Sequence, residues 1–140
     1  MVAYSFKARF APSIEDGSKQ HTLRGRRRRH ARTGEELQLY TGMRTAHCRL
    51  IMRRTCTDFL GVTIDFKQAA VMLYRVVEHL GEWVRAGAGY LPMQPEPFAV
   101  SDGFESFDDM ARFWRDENGV AGAWDGFLIG WRRLPLGARL

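Results

Sequence analysis

Lysine is scarce in this chain of 140 residues: Lys7, Lys19 and Lys67 are the only ones, so 18 of the 21 basic residues are arginines. Cysteine is scarcer. Cys48 and Cys56 do not make a disulfide framework. No apolar run approaches the roughly 18 residues of a membrane-crossing helix, which excludes a span of that kind. The opening stretch MVAYSFKARF has neither the apolar segment nor the small-residue cleavage site of a secretory leader. A cytoplasmic location is the expectation. Metal-ligand spacing is missing too. There is no C-x-x-C or H-x-x-x-H pair, and His47, Cys48 and Cys56 are the only neighbouring candidates, so no metal is expected. Glycine-rich phosphate loops, a G-x-S-x-G elbow and a dinucleotide fingerprint are also lacking. Gly87-Ala88-Gly89 leads into a proline-rich stretch instead of a helix. No cofactor is expected.

What is present fits one globular domain over residues 1–140. Hydrophobic residues make up 45% and charged residues 26%, enough apolar material for one core. The net charge is +5, unevenly spread. Residues 1–57 carry 13 basic and 4 acidic side chains, a net of +9. Residues 58–140 carry 8 basic and 12 acidic ones, a net of −4. A basic half of this kind points to a face for a polyanion. Arginine suits bidentate phosphate contacts and stacking on bases, although a GC-rich genome produces the same bias.

Periodicity supplies the elements. Residues 3–7 read as a short strand with Tyr4 and Phe6 on one face. Pro12 suits the first turn of a helix that Gly17 can end, with Phe10 and Ile14 sharing a face. Residues 19–24 look extended. Residues 25–33 form a basic loop that buries nothing. Residues 35–40 and 46–57 alternate as the two strands of a hairpin around Thr41-Gly42, with Cys48 on an apolar face as a small core residue. Residues 69–84 fit a helical face and a strand equally well. Residues 87–98, with three prolines and two glycines, read as a loop. Ser106 is the expected N-cap of an amphipathic helix through Phe107, Met110, Ala111 and Trp114, stopped by Gly119. Residues 127–134 read as a closing strand. Trp114, Trp124 and Trp131 are read as core or rim packing. The order of elements gives a β-rich α+β domain.

Several residues carry possible chemistry. Gly17-Ser18-Lys19-Gln20-His21-Thr22-Leu23-Arg24 is either a polar strand edge or a site where a partly desolvated Lys19 meets the Thr22 hydroxyl. Arg26, Arg27, Arg28 and Arg29 are either a solvated loop or salt-dependent contacts to a phosphate backbone. Tyr40 could stack a base and Arg44 could hold a phosphate; the alternative is an ordinary hairpin. Asp102 and Glu105 offer two carboxylates for acid–base work, or charges complementing a helix N-terminus. His21, His30 and His79 stand alone.

Residues 17–24 resemble the G-x-K-x-x-T-x-R signature of the ASCH domain, a family of the PUA-like superfamily. Phe6-Lys7-Ala8-Arg9-Phe10 resembles its first strand and helix entry. The stretch Gly34-Glu35-Glu36-Leu37-Gln38-Leu39-Tyr40-Thr41-Gly42-Met43-Arg44-Thr45 is similar to its G-D-x-L-x-L-Y-x-G-x-R strand. Ser101-Asp102-Gly103-Phe104, with Ser106 and Met110, resembles the opening of its last helix, and Gly126-Phe127-Leu128-Ile129-Gly130-Trp131 its last strand. The resemblance implies an open, mixed β-barrel flanked by helices, with 69–77 a strand and 78–98 a loop insertion. It implies a ligand that is RNA or a modified nucleoside. One bacterial branch of the family hydrolyses the acetyl amide of N4-acetylcytidine with a Lys, a Thr and a Glu; other members are ribonucleases or RNA-binding modules. By position, Lys19 and Thr22 match the Lys and Thr. The acid falls near Asp102 with a one-residue shift and a shorter side chain, with Glu105 the other candidate. The expected cleft is lined by Lys19, Thr22, Arg24, Tyr40, Arg44 and Asp102.

Overall fold

The structure, a computed structural model, describes residues 1–134. Alternation at Val2, Tyr4 and Phe6 puts three apolar side chains on the buried face of β1 (Val2–Phe6). A short 3-10 turn (Ala8–Phe10) runs into α1 (Ala11–Asp16), with Pro12 in its first turn, where a missing N–H costs nothing. Gly17 ends α1 in the left-handed conformation, φ 86°. β2 (His21–Arg24) follows. β3 (Glu36–Thr41) and β4 (Arg49–Thr55) pair antiparallel, with a register shift between Leu39 and Tyr40. β1 runs parallel to β3, giving a mixed three-stranded sheet in the order β1-β3-β4.

β5 (Asp58–Asp65) and β6 (Ala70–Tyr74) form an antiparallel pair. β7 (Val76–His79) and β8 (Glu82–Arg85) make a separate two-stranded hairpin. β9 (Leu91–Met93), α2 (Pro95–Ser101), α3 (Phe107–Asn118) and β10 (Ala123–Gly130) complete the described chain. The second sheet is antiparallel, in the order β2-β10-β5-β6-β9. Tyr4, Leu37 and Leu39 from the first sheet and Val62, Ile64, Leu73 and Leu128 from the second bury their side chains in one core, with Ile14 and Met110 from the helices. The α+β, single-domain expectation holds. The two sheets are separate hydrogen-bonded units, and no closed barrel forms among the described residues.

The capped helix is where its sequence signals put it. Ser106 Oγ accepts the Asp109 N–H at 3.0 Å, and Gly119 closes α3 at φ 68°. Residues 78–98 are not a loop insertion. They hold the end of β7, all of β8 and β9, and the start of α2. Their prolines are compatible with this: Pro92 lies on the edge strand β9, and Pro95 and Pro97 lie at the start of α2. The ambiguous stretch 69–84 is strand and hairpin throughout. The closing strand spans 123–130, so Trp131 lies past its end. Cys48 is exposed and precedes β4, which corrects its reading as a core residue. The basic loop does bury something: His30 and Ala31 are inside the protein.

Candidate functional site

β2 sets one wall of the site. On this strand Thr22 and Arg24 share a face while His21 and Leu23 turn to the other. Arg24 Nε donates to Thr22 Oγ1 at 3.1 Å, and its Nη2 donates to the Ser5 carbonyl at 2.6 Å. The guanidinium also lies 5.0 Å from the Phe6 ring centre and 5.4 Å from that of Tyr4. It forms no ion pair among the described residues, and desolvation lowers its pKa.

The opposite wall comes from the end of α2. Asp102 caps this helix and is 3% exposed. Lys19, also 3% exposed, reaches it from the segment before β2. Its Nζ donates to Asp102 Oδ1 at 3.2 Å and to the Asp102 carbonyl. Burial is the main influence on Lys19 and pushes its pKa below the usual lysine value; Asp102 pulls the other way, and Arg24 and Arg9 reinforce the lowering. Gly103 makes this approach possible. It sits at φ 95°, and a Cβ there would meet Lys19 Cδ at 2.9 Å.

Lys19, Thr22, Arg24 and Asp102 line one cavity of about 450 Å³. The volume lies within the range of about 300–1,000 Å³ common to small-molecule sites. Its apolar wall includes Phe10, Phe104, Phe113 and Trp124. Such an apolar wall can take the face of a flat ring, with the polar groups of β2 and of the α2 end beside it.

Four of the six residues expected in the cleft are therefore together. The other two are not. Tyr40 is half-buried, its hydroxyl turned to Gln38, and does not line the cavity. Arg44 is exposed in the turn after β3, at φ 67°. By ordinary alternation Tyr40 shares the face of Gln38, opposite to buried Leu37 and Leu39, and Arg44 lies beyond the end of β3. Glu105 is exposed and also outside the cavity, which leaves Asp102 as the carboxylate on Lys19.

Arg26–Arg29 lie outside the cavity, on a loop tied down by acids. Arg26 pairs with Glu82, Arg29 with Glu35, and Arg32 with Glu78 at 2.9 Å. Arg27 stacks 4.7 Å from the Tyr4 ring centre. Beneath the loop His30 is fixed by Tyr4 Oη at 2.9 Å and the Gly25 carbonyl at 2.8 Å. Trp83 of β8 packs on Phe59 under the same surface.

Two site residues escape the sequence patterns. His21 is fully buried beside Asp102, with Nδ1 3.0 Å from Oδ1. Its one signal is a histidine on the inward face of a strand between Lys19 and Thr22. Trp131 Nε1 donates to the Lys19 carbonyl at 3.1 Å, a contact across 112 residues that no local pattern announces. No group of histidine, cysteine and acidic side chains with metal-binding geometry occurs among the described residues, and no described helix is long and apolar enough to cross a membrane. Comparison of the chain with protein-family models, curated proteins and solved structures returned no match.

Proposed function

We propose that the chain is a PUA-like domain of the ASCH type, its two sheets forming an open barrel, and that the cavity hydrolyses an acyl amide on cytidine. The substrate class is N4-acetylcytidine, free or within RNA. One observation carries this reading: a desolvated lysine, a threonine hydroxyl and a carboxylate line the same ring-sized cavity. Burial lowers the Lys19 pKa and so favours the free amine that a base requires.

In this reading Thr22 Oγ1 attacks the acetyl carbonyl carbon, and Lys19 Nζ takes the hydroxyl proton. Asp102 holds the lysine in place. The carbonyl oxygen becomes an oxyanion beside Arg24, the cation next to the nucleophile. The C–N4 bond then breaks, and Lys19 returns its proton to N4 as cytidine leaves. Water attacks the resulting Thr22 ester, Lys19 again taking and returning one proton, and acetate leaves with the threonine restored. The apolar wall holds the base. The exposed Cys48, a free thiol, suits the reducing cytoplasm in which we place the protein.

A second reading is an RNA-binding module without catalysis. Arg27 and Arg28, exposed outside the cavity and in no ion pair among the described residues, favour it. Incubation with N4-acetylcytidine, followed by cytidine release in absorbance, separates the two. Turnover that disappears in Lys19→Ala and Thr22→Ala supports the amidohydrolase. Absence of turnover by folded wild type, with salt-dependent RNA binding retained, supports the module; strand cleavage in that same assay points to a ribonuclease.

A further inference from the structure

His21, buried against Asp102, has no task in the proposed chemistry. It shares Asp102 Oδ1 with Lys19: Nζ stands 3.2 Å from that oxygen on one side and His21 Nδ1 3.0 Å on the other. Lys19 makes an aligned hydrogen bond. His21 Nδ1 does not, and it is the buried side-chain polar atom left without a hydrogen-bond partner among the described residues. The ring is otherwise fixed, stacked 5.0 Å from Phe98. Its Nε2 lies 2.9 Å from Ser101 Oγ.

The proton inventory follows from Ser101. Its hydroxyl donates its single proton to the Phe98 carbonyl at 2.8 Å, so toward His21 it accepts, and Nε2 carries a hydrogen. A neutral ring of that tautomer would then set an unprotonated Nδ1 3.0 Å from a carboxylate oxygen, with both groups buried. A proton at Nδ1 turns that repulsion into attraction. Among the described residues the charged groups that act on Lys19 beside Asp102 are Arg24 and Arg9, both cationic.

We propose that His21 is a positioning residue that holds a proton at Nδ1 against Asp102, so that Lys19 is released from its role as counter-ion and can present a free amine to the ligand. This rests on the amidohydrolase reading for its purpose but not for its first test. When Lys19 turns to the substrate, Asp102 keeps a cationic neighbour and stays in place. Without His21 the carboxylate retains Lys19, and the base is protonated and occupied.

The first test is the imidazole nitrogen NMR spectrum of the ligand-free protein at neutral pH, with His21→Phe used for assignment. The expected result is protons on both His21 nitrogens, with Asp102→Asn returning the ring to the neutral form protonated at Nε2 alone. A wild-type ring with a bare Nδ1 overturns the proposal. The second test is turnover of N4-acetylcytidine. His21→Phe keeps the stack on Phe98 and is expected to lower kcat about 100-fold, the size of a lost acid–base contribution, with KM within a factor of about two. His21→Asn, whose amide can occupy the place of Nδ1, recovers part of that loss. Unchanged kcat in His21→Phe, or equal loss in both variants, overturns the proposal. If wild type turns nothing over, the activity falls and the nitrogen spectrum alone decides His21.

Discussion

The indole of Trp131 and the backbone of Lys19 are joined by a 3.1 Å hydrogen bond that anchors the Lys19 segment to the end of β10. Neighbouring backbone bonds tighten the same place: Lys19 N–H to Ser13, Gln20 N–H to Ser101, and Trp131 N–H to Gln20. Trp131→Phe keeps most of the packing and leaves a buried carbonyl unpaired. The expected cost is about 1–3 kcal/mol of stability, read by urea unfolding. Because the anchored residue is Lys19, kcat falls in the same variant at temperatures where it is still folded. A variant as stable as wild type means the bond contributes nothing.

Gly103→Ala places a methyl against the Lys19 stem in a backbone conformation that side chains avoid. The strain costs about 1–3 kcal/mol. The aliphatic stem must move, so the Lys19–Asp102 contact is lost and turnover drops more than stability does. Thermal unfolding and kinetics on one preparation check the pair of effects. Wild-type activity in this variant contradicts the close approach.

His30 makes folding pH-dependent. The Gly25 carbonyl fixes its hydrogen at Nε2, so Nδ1 accepts from Tyr4 Oη in the neutral ring. Burial lowers its pKa below the ordinary 6.5. Below that value the unfolded chain binds more protons than the folded one. Its contribution to stability is therefore present above pH 6.5 and is lost as pH falls through the lowered folded value. The midpoint of thermal unfolding is expected to drop across this window, and His30→Gln to flatten the slope. An equal slope in both proteins assigns the effect elsewhere.

The two thiols differ in reach. Cys48 is exposed, whereas Cys56 is buried and its thiol is pushed up to about 11, chiefly by burial. Iodoacetamide is expected to modify one site on the native protein, identified by mass as Cys48, and Cys56 only after unfolding. Rapid labelling of both would contradict the packing around Cys56.

Local signals were sufficient where the physics is local. Gly17 and Gly119 sit just past their helices in the left-handed region, and Ser106 caps as its spacing implies. Lys19, Thr22, Arg24 and Asp102 were legible as candidates, and the fold brings them together. The errors came from contacts that form only in three dimensions. The prolines between 92 and 97 mark an edge strand and a helix start, yet in sequence they read as a loop. Tyr40 follows the strand alternation onto the face of Gln38, and Arg44 lies in the turn past β3, where alternation no longer applies. His21 stands alone in the sequence because its neighbour Asp102 lies on another element, 81 residues along the chain.

The glutamates that hold the arginine loop have a thermodynamic consequence. A phosphate backbone sheds its own condensed cations where unpaired cationic side chains replace them. Arg26, Arg29 and Arg32 already spend their charge on Glu82, Glu35 and Glu78; phosphates that displace those carboxylates leave glutamates that attract cations in turn, so few ions are released on balance. Arg27 and Arg28 remain. If this loop is the docking surface, the logarithm of affinity should fall against the logarithm of salt with a slope of about −1.4 for a single strand, two contacts at roughly −0.7 each. The glutamates thus make the loop a surface whose grip on a polyanion is weaker in dilute salt, and less salt-sensitive, than its arginine content implies.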